Sequence, residues 1–108
     1  MNTMKEISVD ELKEKMDLNA DFQLIDVREV AEYEMGNNGG EHIPLSAVPE
    51  NVDKFSKDKP VYIICRSGRR SANAVMYLEQ KFGYENFYNV EGGMLAWKNE
   101  IDSSVDVE

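Results

Sequence analysis

Apolar positions along this chain fall into short unbroken runs separated by amphipathic stretches. Phe22-Gln23-Leu24-Ile25-Asp26-Val27 is a β-rich run ending in charge, and Val61-Tyr62-Ile63-Ile64 is a continuous apolar run between Pro60 and Cys65. Both have the pattern of buried strands in a parallel sheet. Phe87 to Val90 reads as another short strand, and Lys5 to Ile7 as a brief one at the start. Between them, Ser8 followed by Glu11 fits a capping box, and Val9, Leu12 and Met16 at helical spacing predict a helix over residues 9–16. Ser71 caps a second predicted helix that runs to Phe82, with Val75, Leu78 and Phe82 on one face and Gly83 just beyond its end. Met94 to Glu100 resumes a helical pattern carrying Leu95 and Trp97.

Strand and helix signals therefore alternate, and the connections are short except for Gly36 to Pro49, which holds Gly39-Gly40, Pro44 and Pro49. That order predicts an α/β domain with a mostly parallel sheet. No repeat or linker divides the chain, so residues 1–108 are expected to form one unit, with the acidic tail over about residues 102–108 frayed.

Composition narrows the function classes. A hydrophobic fraction of 42% is too high for a disordered chain. Asp and Glu number 21 against 12 Lys and Arg, a formal charge of −9, which argues against nucleic acid or an anionic membrane surface as partner. Cys65 is the one cysteine and His42 the one histidine, so neither an internal disulfide nor a structural zinc site is expected, and no metal or cofactor is called for. The start of the chain lacks the basic and apolar pattern of a secretory leader, and no segment approaches the ~20 apolar residues of a membrane span. The expected compartment is the cytoplasm, where a lone thiol stays reduced.

Against this acidic background, residues 59–78 contain no Asp or Glu but include Arg66, Arg69 and Arg70, directly after Cys65. The stretch Val61 to Ala72 reads as a buried strand, a loop Cys65-Arg66-Ser67-Gly68-Arg69-Arg70, and a helix start at Ser71. Ligands in open α/β sheets bind beyond the carboxyl ends of strands. A loop there can curl its N–H groups toward one point, and Gly68 lets the backbone turn with positive φ. The following helix adds the positive end of its dipole, so a thiolate or persulfide on Cys65 would be stabilised without a histidine partner. The arginines can present fork-shaped donors to a doubly charged oxyanion. A buried, inert thiol is the commoner fate of a free cysteine, but the loop after Cys65 favours the nucleophile.

Competing chemistries fit less well. A Cys-His hydrolase would need His42 as base, and that residue sits in the Gly- and Pro-rich stretch, as a loop or strand-edge residue. A cysteine phosphatase or an arsenate reductase also uses a strand, a Cys-led anion loop and a helix. The phosphatase loop, however, is Cys-x5-Arg, whereas here Arg70 is the fifth residue after Cys65 and Ser71 the sixth.

With these residues in view, the chain resembles a single-domain rhodanese, a sulfurtransferase family, over Ile7 to Trp97. Leu24-Ile25-Asp26-Val27-Arg28-Glu29 with Glu32-Tyr33 resembles the first family signature, and His42-Ile43-Pro44 the motif that follows it. Cys65 to Ser71 resembles the active-site loop, and Glu91-Gly92-Gly93 with Trp97 the last signature. One departure is that Glu41 stands where the family usually has Gly before His-Ile-Pro. The resemblance implies a five-stranded parallel sheet with helices on both faces, and transfer of a sulfane sulfur through a persulfide on Cys65. It implies a small anionic sulfur donor such as thiosulfate, and cyanide, a thiol, a thioredoxin-like protein or a sulfur carrier as acceptor. A persulfide-carrying module serving one partner protein is the alternative. Arg66, Ser67, Gly68, Arg69, Arg70 and Ser71 form the expected substrate-binding loop. Asp26 and Arg28 are expected to support it structurally, Gly92-Gly93 to make a tight turn, and Trp97 to cover the core.

Overall fold

The computed structural model describes residues 4–107. Five strands, β1 (Glu6–Ile7), β2 (Gln23–Asp26), β3 (Glu41–His42), β4 (Val61–Ile64) and β5 (Phe87–Val90), form one all-parallel sheet in the order β1-β5-β4-β2-β3. The two edge strands are two residues long, and the three inner strands four each. Because every strand runs the same way, their carboxyl ends share one rim of the sheet, where Asp26, Cys65 and Val90 lie.

The alternation of side chains along β4 divides the core. Val61, Ile63 and Cys65 face α3 (Arg69–Phe82) through Ala74, Val75 and Leu78, together with Val48 of the 3-10 segment Leu45–Lys54. Tyr62 and Ile64 face the other way, onto Val9 and Leu12 of α1 (Val9–Asp17) and Met94 and Trp97 of α4 (Gly93–Glu100). Helices on both faces of a parallel sheet were expected, and β4 is buried along its whole length as its unbroken apolar run requires. The predicted capping box at Ser8 is present, each side chain bonding the other residue's N–H at 3.1 Å.

Several local expectations are corrected. The helix after Cys65 is capped at Gly68, not Ser71, and begins at Arg69: Gly68 adopts φ +100° as its N-cap, so the chain turns into the helix three residues early and the loop shortens to Cys65–Gly68. Ser71 is then inside the first turn, with its hydroxyl directed inward and fully buried. The long connection after Gly36 is also more ordered than its Gly and Pro content suggests, containing β3 and the 3-10 segment, kinked at Asn51. At the end of the chain, where a frayed tail was expected, Val105 and Val107 pack against the α1/α4 side of the core. The backbone of Asp106 lies so close to Gly36 that a Cβ there would meet its carbonyl at 2.5 Å. Glu108 lies outside the described residues.

Helix α2 (Val30–Met35) has no buried side chain, so apolar packing does not hold it in place. Polar contacts do. Arg28, 1% exposed, donates to the Glu32 carbonyl at 3.2 Å and the Gly36 carbonyl at 2.8 Å while its Nε and Nη2 engage the fully buried Asp26 carboxylate. Among the described residues no helix is long and apolar enough to cross a membrane.

Candidate active site

Cys65 follows the last residue of β4 and is 1% exposed. Its Sγ lies 3.1 Å from the Gly68 backbone nitrogen, which donates to it, and 3.2 Å from Ser71 Oγ. Both contacts come from the tight turn at Gly68, which folds the start of α3 back over the sulfur. The positive end of that helix therefore faces the thiol, an arrangement that favours negative charge there.

The loop is braced from β5 and α4. Gly92 and Gly93 take φ +77° and +57°, and α4 starts so close to the loop that its Met94 and Leu95 N–H groups donate to the Cys65 and Arg66 carbonyls at 2.8 and 3.0 Å. A Cβ on Gly93 would lie 2.3 Å from the Cys65 carbonyl oxygen. The expected tight turn is present, and it also fixes the backbone of the cysteine. Gly93→Ala is expected to cost about 2 kcal/mol, from overpacking plus a strained φ, and to slow Cys65 chemistry because the displaced atoms are those of the loop itself. Denaturant unfolding and the rate of thiol alkylation, measured on the same sample, check both.

The expected loop arginines divide. Arg66 and Arg69 are exposed on the rim, as is Ser67. Arg70 instead turns to α2 and makes a two-pronged pair with Glu32, at 2.7 and 2.8 Å. Glu32 Oε1 also accepts the Glu29 N–H at 2.9 Å, so this carboxylate ties the first turn of α2 to the first turn of α3. The hydrogen bonds from Arg70, helped by the one from Glu29, hold the Glu32 carboxyl at about 2, against an ordinary value of 4.5. A carboxyl depressed in the folded state adds stability above its unfolded value and loses it as pH falls through the folded one. With partly exposed partners the contribution is about 1–2 kcal/mol. Glu32→Gln should lose that amount at neutral pH, and the gap to wild type should close between about pH 4.5 and pH 2. Urea unfolding across that range measures it.

Asp26 and Arg28 form the buried pair described above, one element away from Cys65. His42 sits in edge strand β3, its ring stacked on Tyr33 at 4.4 Å and its Nε2 2.7 Å from the Arg28 carbonyl. It is far from serving the thiol as base in this arrangement, being committed to the Arg28 backbone.

One residue in the cluster was not singled out from the sequence. Asn89, 4% exposed, accepts from Ser71 Oγ at 2.5 Å and donates to the Gly68 carbonyl at 3.1 Å. Its signal was a polar residue inside the strand run Phe87-Tyr88-Asn89-Val90, on the same face as Phe87. What could not be read was its neighbour: the pairing of Asn89 with Ile63, two residues before Cys65, brings it beneath the loop.

Comparison with known proteins gives a consistent set of likenesses. The family described as "Rhodanese-like domain" matches residues 8–100. YtwF of Bacillus subtilis, described as a candidate sulfurtransferase, is 44% identical over 98 residues covering 90% of this chain and 93% of that protein. YrkF of the same organism, described as a candidate sulfur carrier protein, is 34% identical over 102 residues, 94% of this chain but 55% of that one. The crystal structure of a rhodanese-like domain protein from Staphylococcus aureus superimposes with a TM-score of 0.82 at 39% identity, covering 97% of this chain and 99% of that one.

Proposed function

We propose, because this chain belongs to the rhodanese-like domain family with its sulfurtransferases and sulfur carriers, that it moves a sulfane sulfur through a persulfide on Cys65. The observation that carries this reading is the buried Cys65 sulfur at a strand end, with the Gly68 N–H and the Ser71 hydroxyl on it and a helix start behind them.

In the first half-reaction the Cys65 thiolate attacks the outer sulfur of thiosulfate. The bond between the two thiosulfate sulfurs breaks, sulfite leaves with its electron pair, and the outer sulfur remains on Cys65 as a persulfide anion. In the second, cyanide or a thiolate attacks that outer sulfur, and the electron pair of the sulfur–sulfur bond returns to Sγ. Arg66 and Arg69 guide the anionic donor from the rim, and loop N–H groups hold the bound sulfur. The role of Arg70 is to join α3 to α2 through Glu32, leaving substrate guidance to the other two. With a single cysteine in the chain the persulfide is discharged to an external acceptor, a small thiol, a thioredoxin-like protein or a sulfur carrier. A reducing cytoplasm suits this chemistry.

Intact-mass measurement of the reduced protein after incubation with thiosulfate tests the reading. One added sulfur atom is expected on wild type and none on Cys65→Ser, and an unmodified wild-type mass would overturn it for thiosulfate. Likeness to the described sulfur carrier supports a second use of the same persulfide, delivery to one partner protein. A thiosulfate rate that saturates at low substrate favours the enzyme, and discharge to a single copurifying protein favours the carrier.

A further inference from the structure

Ser71 has one hydroxyl hydrogen and two neighbours that can take it, Asn89 Oδ1 at 2.5 Å and Cys65 Sγ at 3.2 Å. The Asn89 amide is held one way round. Its nitrogen lies 3.1 Å from the Gly68 carbonyl and 3.3 Å from a Glu6 carboxylate oxygen, and both of these only accept. Reversing the amide would set its oxygen against two acceptors. Asn89 therefore shows its oxygen to Ser71, and the shorter contact claims the hydrogen.

What then faces the sulfur is a lone pair on Ser71 Oγ, a good match for a thiol S–H that donates. A negatively charged sulfur requires the reverse, with the hydroxyl turned onto it. Asn89 Oδ1 then loses its partner in a site where Asn89 is 4% and Ser71 0% exposed, and an unpaired buried acceptor is costly.

We propose that Asn89 is a positioning residue for sulfur transfer: it competes with Cys65 for the Ser71 hydrogen, so that Ser71 donates to Sγ while that sulfur is charged and returns to Asn89 when it is not. The proposal rests on the persulfide reading of Cys65 given above. Over one turnover Sγ is an anion before attack on the donor. In the persulfide it is bonded to a second sulfur and the charge lies on the outer atom. It is an anion again when the acceptor removes that atom. A hydroxyl that turns in, out and in again stabilises charge on Sγ at the steps where charge forms there, without stabilising the persulfide equally.

Ultraviolet titration of the thiolate in the full-length protein tests this and needs no sulfur donor, so its failure is distinct from a failure to form the persulfide with thiosulfate. The charged groups at the Cys65 end of the surrounding elements are Arg66 in its loop, Arg69 and Arg70 in the first turn of α3 with Glu32 across from Arg70, Asp26 at the end of β2 with Arg28 just after it, Glu6 on β1, and Glu91 between β5 and α4. Glu79 and Lys81 lie in the last turns of α3, and Lys98 and Glu100 in the last turn of α4. All are retained in the variants. Asn89→Ala frees the hydroxyl and should lower the titration midpoint by about one pH unit, whereas Ser71→Ala removes the donor and should raise it by about as much. The double variant should coincide with Ser71→Ala, because Asn89 acts through that hydroxyl. An upward shift in Asn89→Ala, or a downward shift that persists without Ser71, would overturn the proposal and leave Asn89 as a brace for the loop. Asn89→Leu, closer in volume and equally without an acceptor, carries the same expectation should the alanine variant not fold.

Discussion

Cys65→Ser should stop sulfur transfer while leaving the fold intact, with a rate loss of about a thousandfold or more. Serine is smaller than cysteine by little, and its hydroxyl inherits two polar neighbours, the Gly68 N–H and Ser71 Oγ, so burial costs it little. What it cannot do is become an anion at neutral pH or hold a transferable sulfur. The substitution therefore separates chemistry from structure. Thiocyanate formation from thiosulfate and cyanide reads the first, and thermal unfolding reads the second. A variant that retained transfer at a substantial fraction of wild type would move the reaction away from Cys65 altogether.

Arg28→Ala is the substitution expected to damage the fold most, by about 3–5 kcal/mol. It leaves the Asp26 carboxylate buried with no countercharge, since Asp26 is fully buried and Arg28 supplies three side-chain hydrogen bonds to it. It also removes the donors that reach the Glu32 and Gly36 carbonyls, and α2 has no buried apolar residue to hold it afterwards. A domain of this size has a total stability of only about 5–15 kcal/mol, so a loss of that size leaves little reserve at physiological temperature. Arg28→Lys should recover little of it, because one ammonium cannot reach the sites shared among Nε, Nη1 and Nη2. Urea denaturation gives the stability change directly. Hydrogen exchange in α2 should rise in both variants before the inner strands are affected. A loss below about 1 kcal/mol would mean that the Asp26 carboxylate is not left without a partner and that the pair is not what holds α2.

The parts of the fold that were legible share a cause. β4 is an inner strand buried along its whole length, so its residues have to be apolar, and the run Val61 to Ile64 announces this without help from any neighbour, while β2 and β5 show shorter apolar stretches interrupted by the buried Asp26 and Asn89. The start of α1 was equally plain, since a capping box is written in residues three apart. The start of α3 was misplaced because two capping solutions compete there. A serine at Ser71 is a normal cap, but Gly68 can turn the chain with positive φ, and taking that earlier turn releases the Ser71 hydroxyl for the sulfur. The 3-10 segment carries Leu45, Val48 and Val52 at helical spacing, but Pro44 and Pro49 in the same stretch mask that pattern, whereas β3 is two residues long and exists only through what it packs against.

In the candidate site the same division holds. Cys65, Gly68 and the arginines stand close together in the chain, and a local cationic stretch in an acidic protein is visible by inspection. Asn89 and the Arg70–Glu32 pair are not local: the first depends on the β4–β5 register and the second joins residues 38 apart. The direction of Arg70 in particular was set by a carboxylate on another helix, which no spacing within the loop could reveal.

The brevity of β1 and β3 bears on how the protein behaves when crowded. The open edges of a sheet are where one molecule can template another, adding strand to strand until a fibril grows. Here each edge offers two residues of unpaired ladder, while the long apolar strands that would make a strong template lie inside. A net charge of −9 adds repulsion between copies. The protein should therefore tolerate high concentration in its folded state, and its exposure to aggregation should come through unfolding, when Val61 to Ile64 is released.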